Sequence, residues 1–362
     1  MPYLIIKSTK AYWVEQQKMN NSNISSSKGH FTQVSKKNKK EQELFVLVIG
    51  ESTTRNHMNI YGYPRETTPR LNLLKNELDL YQNVISPHTY TIETLKQNLT
   101  LNGFKKSKES SIVQLMNQAG FKTFWFSNQQ PIGPFDSMVT EIAKASDILK
   151  FTNLNRHSHN TPYDGVLLDN LIAAVKDPAK RKFIVIHLLG THLNYGYRFP
   201  ERFNKFNKSP EGKYKDKKAI ETINNYDNAV LYVDYVLAES IEILKQANLK
   251  SYLLYFSDHG EEVYQSRYFS GHTLSKATKN MFEIPFILWR SEKFKKAKFI
   301  SKENYSKPYV TDDLIHSISD LSDVDFEELL LNKSIFSDQF IPKKRIVGEG
   351  INFDNYRWNK SK

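Results

Sequence analysis

A short, uninterrupted apolar run constrains the fold of this chain more than any other feature. Residues 44–49 read LFVLVI and end at Gly50, with no polar residue among them. A strand buried on both faces has this pattern, whereas a strand with one solvated face alternates apolar and polar residues. Related runs follow at residues 78–85, 121–126, 183–189 and 252–256, with a further candidate at 284–289. We therefore predict a sheet that is covered on both faces.

Helical patterns lie between these runs. Pro69 suits the first turn of one helix, and an apolar stripe over residues 112–119 ends at Gly120, a residue type that commonly follows a helix C-terminus. The longest helical pattern extends from about residue 218 to residue 247. Alternating strands and helices predict an α/β fold with a mostly parallel central sheet flanked by helices on both faces.

The first 43 residues differ from this pattern. Residues 3–19 predict one marginal helix, and residues 20–43 are polar, rich in Ser and Asn and contain a lysine run, as a linker would. Residues 44–362 are predicted to form one folded domain. No apolar run approaches the roughly 18 residues that a membrane-spanning helix needs, and the N-terminal apolar stretch is too short for a signal peptide. We therefore expect a soluble chain.

The amino-acid composition narrows the chemistry. The chain has no cysteine, which excludes disulfide scaffolds, cysteine-ligated zinc, thiol nucleophiles and iron–sulfur clusters. Its net charge of +12 suits the phosphates of nucleic acid, an anionic membrane or a phosphorylated glycolipid, and serves solubility equally well. Apart from residues 36–40 and 293–298 the basic residues are dispersed, which disfavours a nucleic-acid or membrane-binding module.

Two of the predicted strands end in residues that bind metals. Glu51 follows the first apolar run, and Asp258 and His259 follow the run at residues 252–256. Ligand sites in parallel sheets lie beyond the carboxyl ends of the strands, so we expect these side chains to meet at one edge. Two carboxylates and an imidazole suit zinc or manganese. The structural alternative is that Glu51 caps the following helix and Asp258 pairs with a lysine.

A third strand end carries threonines. Thr89 and Thr91 follow residues 78–85, and a helical apolar stripe begins at Ile92. One threonine would then lie at a helix N-terminus, where backbone N–H groups favour anions. A threonine hydroxyl is a weak nucleophile at neutral pH unless a divalent cation lowers its pKa. A plain helix N-cap is the alternative interpretation.

Three histidines lie in or after the later strands. His192 follows residues 183–189, and His272 lies in the loop after Asp258. Either could contact a phosphate, donate a proton to a leaving group or bind a second metal, and the alternative is a surface loop. His187 lies inside a predicted strand and is expected to be a satisfied core histidine. Residues 195–199 either meet anionic lipid headgroups or pack within their own loop.

Taken together, these motifs resemble a known family. Residues 50–69, GESTTRNHMNIYGYPRETTP, closely resemble the opening motif of the lipopolysaccharide phosphoethanolamine transferases, which belong to the alkaline phosphatase/sulfatase-like superfamily. Residues 257–261, SDHGE, are similar to that family's second metal motif. The resemblance extends from residue 44 to about residue 345 and implies an alkaline phosphatase/sulfatase-like fold. Residues 90–93 look like the branch that modifies core heptose, and the absence of cysteine departs from the lipid A branch.

The resemblance implies a role for each candidate residue. The metal ligands of the family match Glu51, Thr91, Asp258 and His259. Of the two threonines, Thr91 rather than Thr89 matches the nucleophile. The implied metal is Zn²⁺, with one ion bound and room for a second, in preference to Mn²⁺ or Mg²⁺. His192 and His272 match catalytic histidines near the phosphoryl group, and both are expected to contact the substrate together with Asn128.

The activity implied by the resemblance is a transfer in two steps. Thr91 would accept phosphoethanolamine from phosphatidylethanolamine and pass it to the lipopolysaccharide core, on a heptose. The alternative within the superfamily is a metal-dependent phosphodiesterase or other hydrolase. A sulfatase is disfavoured because the chain lacks both cysteine and a serine in the motif from which sulfatases make their aldehyde nucleophile.

The resemblance also implies a location and partners. Members of the family carry an N-terminal membrane domain, so residues 1–43 are expected to be the remnant of a tether and residues 44–362 the catalytic domain. The expected location is the periplasmic face of a Gram-negative inner membrane. The expected partners are the phospholipid donor, the lipopolysaccharide acceptor and the membrane surface, with no nucleic acid, and the domain is expected to be a monomer.

Overall fold

Strands and α-helices alternate along the chain, as predicted. The structure, a computed structural model, describes residues 23–37, 41–103, 109–131, 137–153 and 161–358. The strands of the central sheet are β1 (Glu43–Gly50), β2 (Leu78–Leu80), β3 (Lys122–Ser127), β4 (Ile148–Phe151), β5 (Arg181–His187), β6 (Lys250–Ser257) and β7 (Phe286–Arg290). The α-helices are α1 (Pro69–Leu73), α2 (Thr91–Leu99), α3 (Ile112–Gln118), α4 (Ser137–Lys144), α5 (Val166–Lys176), α6 (Lys217–Ala247), α7 (Glu292–Ala297) and α8 (Leu314–Leu321).

The central sheet has the strand order β2–β7–β6–β1–β5–β3–β4. Strands β6, β1, β5, β3 and β4 are parallel to one another, and β7 is antiparallel to both of its neighbours. The prediction of a mostly parallel α/β sheet is therefore confirmed, with one reversed strand near the edge. Two-residue strand pairs lie outside this sheet, joining residues 35–36 to 324–325, 84–85 to 309–310, 262–263 to 270–271, and 346–347 to 351–352.

Side chains of β1 alternate between two hydrophobic cores, one on each face of the sheet. Phe45 and Leu47 face a core completed by α2, α3, α4, α7 and α8. Val46 and Val48 face the opposite core, which contains α1, α5 and the long helix α6. Successive side chains of a strand point to opposite faces, so an entirely apolar strand is what a sheet between two helical layers requires.

The predicted strand at residues 78–85 is divided between two sheets. Leu78–Leu80 pairs with β7, whereas Val84–Ile85 pairs in parallel with Tyr309–Val310. The polar residues Gln82 and Asn83 interrupt the apolar pattern between the two halves. The chain leaves the central sheet at this point and carries the following loop toward the carboxyl edge.

The linker prediction is wrong for residues 23–37. Ile24 and Phe31 are buried in the core that contains α3 and α8. The amide of Gln114 on α3 donates to the backbone oxygens of Asn23 and Ser26 at 3.0 and 2.9 Å. The segment is polar overall, and its two buried apolar residues, Ile24 and Phe31, are too few to produce a periodic pattern in the sequence.

The predicted helix at residues 3–19 lies outside the described residues. Among the helices that the structure does describe, none combines the length and the apolar character needed to cross a bilayer.

Candidate metal and phosphoryl-transfer site

The register of the sheet brings Glu51 and Asp258 together. Gly50, the last residue of β1, pairs with Ser257, the last residue of β6. Glu51 and Asp258 are the next residues of the two parallel strands, and the Asp258 amide donates to the Gly50 carbonyl at 3.0 Å. Both carboxylates and the His259 imidazole are buried. The structure thus places these three predicted ligands in one cluster, and within the described residues neither carboxylate serves as a helix cap or pairs with a lysine.

Thr91 completes this cluster. Its Oγ1 lies 3.2 Å from Glu51 Oε2 and 3.4 Å from His259 Nε2. His259 Nε2 in turn lies 3.5 Å from both Glu51 Oε1 and Asp258 Oδ2. In a tetrahedral zinc site with bonds of roughly 2.1 Å, neighbouring ligand atoms lie about 3.4 Å apart. The separations of His259 Nε2 from its three neighbours, and of Thr91 Oγ1 from Glu51, therefore match those of a tetrahedral donor set.

The hydrogen bonds around the cluster leave Oδ2 of Asp258 and Nε2 of His259 available to a cation. Asp258 Oδ1 accepts from the backbone amides of Ser52 and His259 at 3.0 and 2.7 Å. Its other oxygen, Oδ2, is buried and has no hydrogen-bond partner among the described residues. His259 Nδ1 lies 2.8 Å from the Gly260 carbonyl, which directs Nε2 toward the carboxylates. A buried carboxylate oxygen without a partner is costly, and a bound cation would satisfy it.

Burial changes the titration of these groups. Burial and the charge of Asp258 raise the pKa of Glu51 well above its ordinary value. Burial lowers the pKa of His259 to about 4. The imidazole is therefore neutral near pH 7, and its Nε2 lone pair is available to a metal.

Thr91 is the first residue of α2, and Tyr90 is the N-cap. The Thr91 hydroxyl interacts with Glu51 and His259 rather than with the helix backbone, so the plain N-cap interpretation is wrong. Thr89, the other candidate, is fully buried, and its Oγ1 has no partner in the described part of the chain.

His272 lies at the rim of the cluster, and His192 lies near enough for the charges of His272 and Asp258 to affect its pKa. The His272 ring centroid is 4.1 Å from that of His259, and its Nδ1 is 2.7 Å from Glu261 Oε2. Burial lowers the pKa of His272, but Glu261 outweighs this effect and raises it overall. Burial and Arg198 lower the pKa of His192 to about 4. Ligand atoms of His259, Glu261 and His272 also lie within 4.8 Å of one another, which offers a second cation position.

Asn128 does not face this cluster. Its side-chain amide donates to the Pro162 carbonyl at 2.7 Å and to Asp164 Oδ1 at 2.9 Å, and its oxygen accepts from Thr152. The side chain is fully buried, so the structure does not support the predicted substrate contact. The neighbouring residue, Gln129, points toward the site instead, with Nε2 3.4 Å from Glu51 Oε2.

The sequence analysis also missed the role of Glu261. Glu261 Oε1 accepts a hydrogen bond from the Tyr195 hydroxyl at 2.5 Å, while Oε2 contacts His272. The sequence feature that could have identified Glu261 is its position three residues after Asp258.

Tyr195 and Phe199 are buried, which supports loop packing rather than headgroup contact for these two residues. His187 is buried as predicted, but its Nε2 has no partner among the described residues.

Much of the segment at residues 50–69 holds the site in place. Ser52, directly after Glu51, has a positive φ of 57°. The Tyr226 hydroxyl of α6 donates to the Ser52 carbonyl at 2.7 Å and accepts from the Thr54 amide at 2.9 Å. His57 Nδ1 and Arg65 Nη1 both lie 2.6 Å from the buried carboxylate of Asp227. These contacts fix the turn that presents Glu51.

Comparisons with known proteins agree with this geometry. The profile of the family described as Sulfatase matches residues 43–324. Phosphoethanolamine transferase EptC of Escherichia coli (strain K12) is 38% identical over 322 residues, which cover 85% of this chain and 56% of that protein. Phosphoethanolamine transferase CptA of Salmonella typhimurium is 40% identical over 317 residues, which cover 84% of this chain and 55% of that protein. The chain spans just over half the length of these relatives.

Solved structures show the same fold. The zinc complex of the C-terminal periplasmic domain of Escherichia coli EptC superposes with a TM-score of 0.86 at 36% identity, covering 91% of this chain and 98% of that one. The soluble domain of lipooligosaccharide phosphoethanolamine transferase A from Neisseria meningitidis gives a TM-score of 0.71 at 23% identity, covering 85% and 97%. The expected alkaline phosphatase/sulfatase-like fold is thus confirmed.

Proposed function

The chain belongs to the sulfatase family, and from that premise we propose that it is the catalytic domain of a phosphoethanolamine transferase with Thr91 as nucleophile. The donor is phosphatidylethanolamine, and the acceptor is a heptose of the lipopolysaccharide core. The observation that carries the proposal is the position of Thr91 Oγ1, 3.2 Å from Glu51 and 3.4 Å from His259 at a helix N-terminus. The names of the similar proteins support the group that is transferred.

Glu51, Thr91, Asp258 and His259 would hold a zinc ion. Their spacing and the unpartnered oxygen of Asp258 support this assignment, as does the zinc in the similar domain. When bound, the ion supplies positive charge that lowers the pKa of the Thr91 hydroxyl and offsets the charge of the phosphoryl oxygens.

In the first step the Thr91 hydroxyl loses its proton to solvent, and its oxygen attacks phosphorus. A bond forms between Thr91 Oγ1 and phosphorus, and the bond from phosphorus to the glycerol oxygen breaks. Diacylglycerol leaves and takes up a proton from His272, whose pKa is raised, rather than from His192, whose lowered pKa of about 4 leaves it neutral near pH 7. The backbone N–H groups at the start of α2 point toward the anionic group and stabilise it.

In the second step a hydroxyl of the acceptor sugar attacks the same phosphorus. Its proton passes to a rim histidine, the new sugar–phosphate bond forms, and the bond to Thr91 breaks. The Thr91 oxygen takes back from solvent the proton that it lost in the first step, so the site returns to its starting state. Donor and acceptor therefore occupy the same phosphoryl site in turn.

The cellular setting is part of the proposal. We place the domain on the periplasmic face of a Gram-negative inner membrane, as a monomer, with the first residues leading from a membrane domain. The relatives' greater length and the periplasmic origin of the similar structure support this placement.

Intact mass spectrometry tests the proposed function. The protein is incubated with zinc and phosphatidylethanolamine, and Thr91→Val is compared with the matched control Thr89→Val, which removes a buried hydroxyl that has no described partner. We expect a phosphoethanolamine adduct on the wild type and on the control, and none on Thr91→Val. Continuous release of phosphoethanolamine without an adduct would instead indicate a hydrolase. An adduct on Thr91→Val would contradict the assignment of the nucleophile.

A further inference from the structure

A tyrosine-rich cleft of about 710 Å³ lies between two loops that adjoin His192 and His272 in the sequence. One wall is the loop at residues 193–197, the other is the loop at residues 264–270, and the floor is the first turns of α6. We propose that this cleft binds a sugar ring of the acceptor, an inference that rests on the proposed transferase function.

Both walls of the cleft belong to loops that carry the rim histidines. Leu193, in the first wall, directly follows His192, and Ser270, in the second wall, lies two residues before His272. The Tyr195 hydroxyl connects the walls, because it donates to Glu261 and lies 3.2 Å from the Ser270 hydroxyl. Both walls therefore lead from the cleft to the histidines of the proposed transfer.

The lining suits a ligand that has apolar faces and a polar rim. Tyr197 and Tyr268 are 52% and 54% exposed, although both are aromatic. Glu221, Thr222 and Asn225 provide acceptors and donors on the floor. A sugar ring presents C–H groups on its faces and hydroxyls at its edge, which matches aromatic walls over a polar floor. The diacyl part of a phospholipid would instead need a continuous apolar surface.

Tyr268 is held in a fixed position. The Tyr268 hydroxyl donates to Asp216 Oδ1 at 3.0 Å, and its ring packs against Tyr264 and Tyr214 at centroid distances of 5.1 and 5.3 Å. A tyrosine that is already ordered loses little conformational entropy when a ligand stacks on it. The ring of Tyr268 is therefore already ordered before a ligand binds.

One wall also contains a strained residue. Tyr264 has φ 60°, a left-handed conformation that a bulky aromatic residue rarely adopts. Such conformations concentrate at functional sites, which supports a binding role for this wall over incidental loop packing.

The test uses a lipid-free core oligosaccharide that contains heptose. Its binding to the whole chain is measured by calorimetry for the wild type, Tyr268→Ala and Tyr197→Ala. The matched control is Tyr356→Ala, a similarly exposed tyrosine (50%) outside the cleft. We expect the dissociation constant to rise about tenfold in each cleft variant, which corresponds to about 1.4 kcal/mol lost with the aromatic ring, and to stay unchanged in the control. Circular dichroism establishes that the variants are folded.

A second measurement separates this inference from the proposed function. In the wild type and Tyr268→Ala, mass spectrometry follows formation of the Thr91 adduct and its consumption by the oligosaccharide. We expect the ratio of consumption to formation to fall about tenfold in the variant. Equal binding and equal consumption in the two proteins would overturn the cleft assignment. If the wild type forms no adduct, both the transferase function and the acceptor role of the cleft are contradicted. The calorimetry still decides, independently, whether the cleft binds sugar.

Discussion

Gly190 lies against the backbone of Glu51 so closely that no side chain fits between them. A Cβ atom at Gly190 would be 2.9 Å from both the backbone nitrogen and the backbone oxygen of Glu51. Gly190 has φ 51°, and the following amide, of Thr191, donates to the Glu51 carbonyl at 3.0 Å. The loop after β5 therefore determines the position of Glu51, the first of the proposed metal ligands.

Replacement of this glycine should damage both stability and metal binding. In Gly190→Ala the new methyl group must displace Glu51, so we expect a loss of at least about 2 kcal/mol in the free energy of unfolding and weaker zinc binding. Denaturant titration and calorimetry measure the two effects. Gly350→Ala is the control, because Gly350 also has a positive φ, 95°, but a Cβ there meets no atom within 4 Å. Its expected cost is about 1 kcal/mol, and an equal loss in the two variants would contradict the steric argument.

Removal of one negative charge from the proposed metal cluster should lower the affinity for zinc without lowering the stability of the metal-free protein. In Asp258→Asn we expect zinc affinity to fall at least about 100-fold, since one ligand oxygen and one negative charge are lost. The metal-free variant should be as stable as the wild type or more stable, because a buried carboxylate no longer faces Glu51. Thermal unfolding with and without zinc measures both effects. A zinc-induced stabilisation equal to that of the wild type would show that Asp258 is not a ligand.

The hydroxyl of Tyr226 should matter more than other buried tyrosine hydroxyls. Tyr226→Phe leaves the Ser52 carbonyl and the Thr54 amide without their partner, so we expect a destabilisation of about 1–3 kcal/mol and reduced zinc affinity. The control is Tyr81→Phe, which removes a buried hydroxyl that has no hydrogen-bond partner among the described residues. This control should be neutral or slightly stabilising. Equal behaviour of the two variants would contradict the proposed support of the Glu51 turn.

A buried histidine distant from the site should contribute to acid sensitivity. Burial lowers the pKa of His316 to about 4, and its Nδ1 accepts from the Leu330 amide at 3.3 Å. The unfolded chain, with an ordinary histidine pKa near 6.5, takes up a proton as the pH falls below that value, while the folded chain does not. Stability contributed by neutral His316 is therefore complete above about pH 6.5 and is lost toward about pH 4, by up to about 3 kcal/mol.

The comparison that isolates this effect is His316→Asn, whose side-chain oxygen can replace Nδ1 as an acceptor. Denaturant titrations at about pH 7.5 and about pH 5 give the loss of stability on acidification for each protein. We expect a smaller loss in the variant than in the wild type, because other buried histidines titrate equally in both. An identical loss in the two proteins would assign the acid sensitivity to other groups.

Local sequence determined the main strands and the residues that end them. The run at residues 44–49 requires a strand buried on both faces, and a strand that ends at a fixed residue delivers the next one to the sheet edge. For this reason the strand pattern by itself assigns Glu51, Asp258 and His259 to one edge. The resemblance to a family added Thr91, which local pattern alone could not separate from Thr89.

Tertiary structure alone decided which way side chains point beyond the strand ends. Asn128 and Gln129 are adjacent and both polar, yet the first is fixed by Asp164 and the second reaches Glu51. The packing of Ile24 into the core and the contact between Tyr195 and Glu261 likewise join segments far apart in sequence. Strand periodicity depends on neighbouring residues, so it can be recognised in the sequence. Loop conformation depends on contacts between residues far apart in the sequence, and a local sequence pattern does not reveal these contacts.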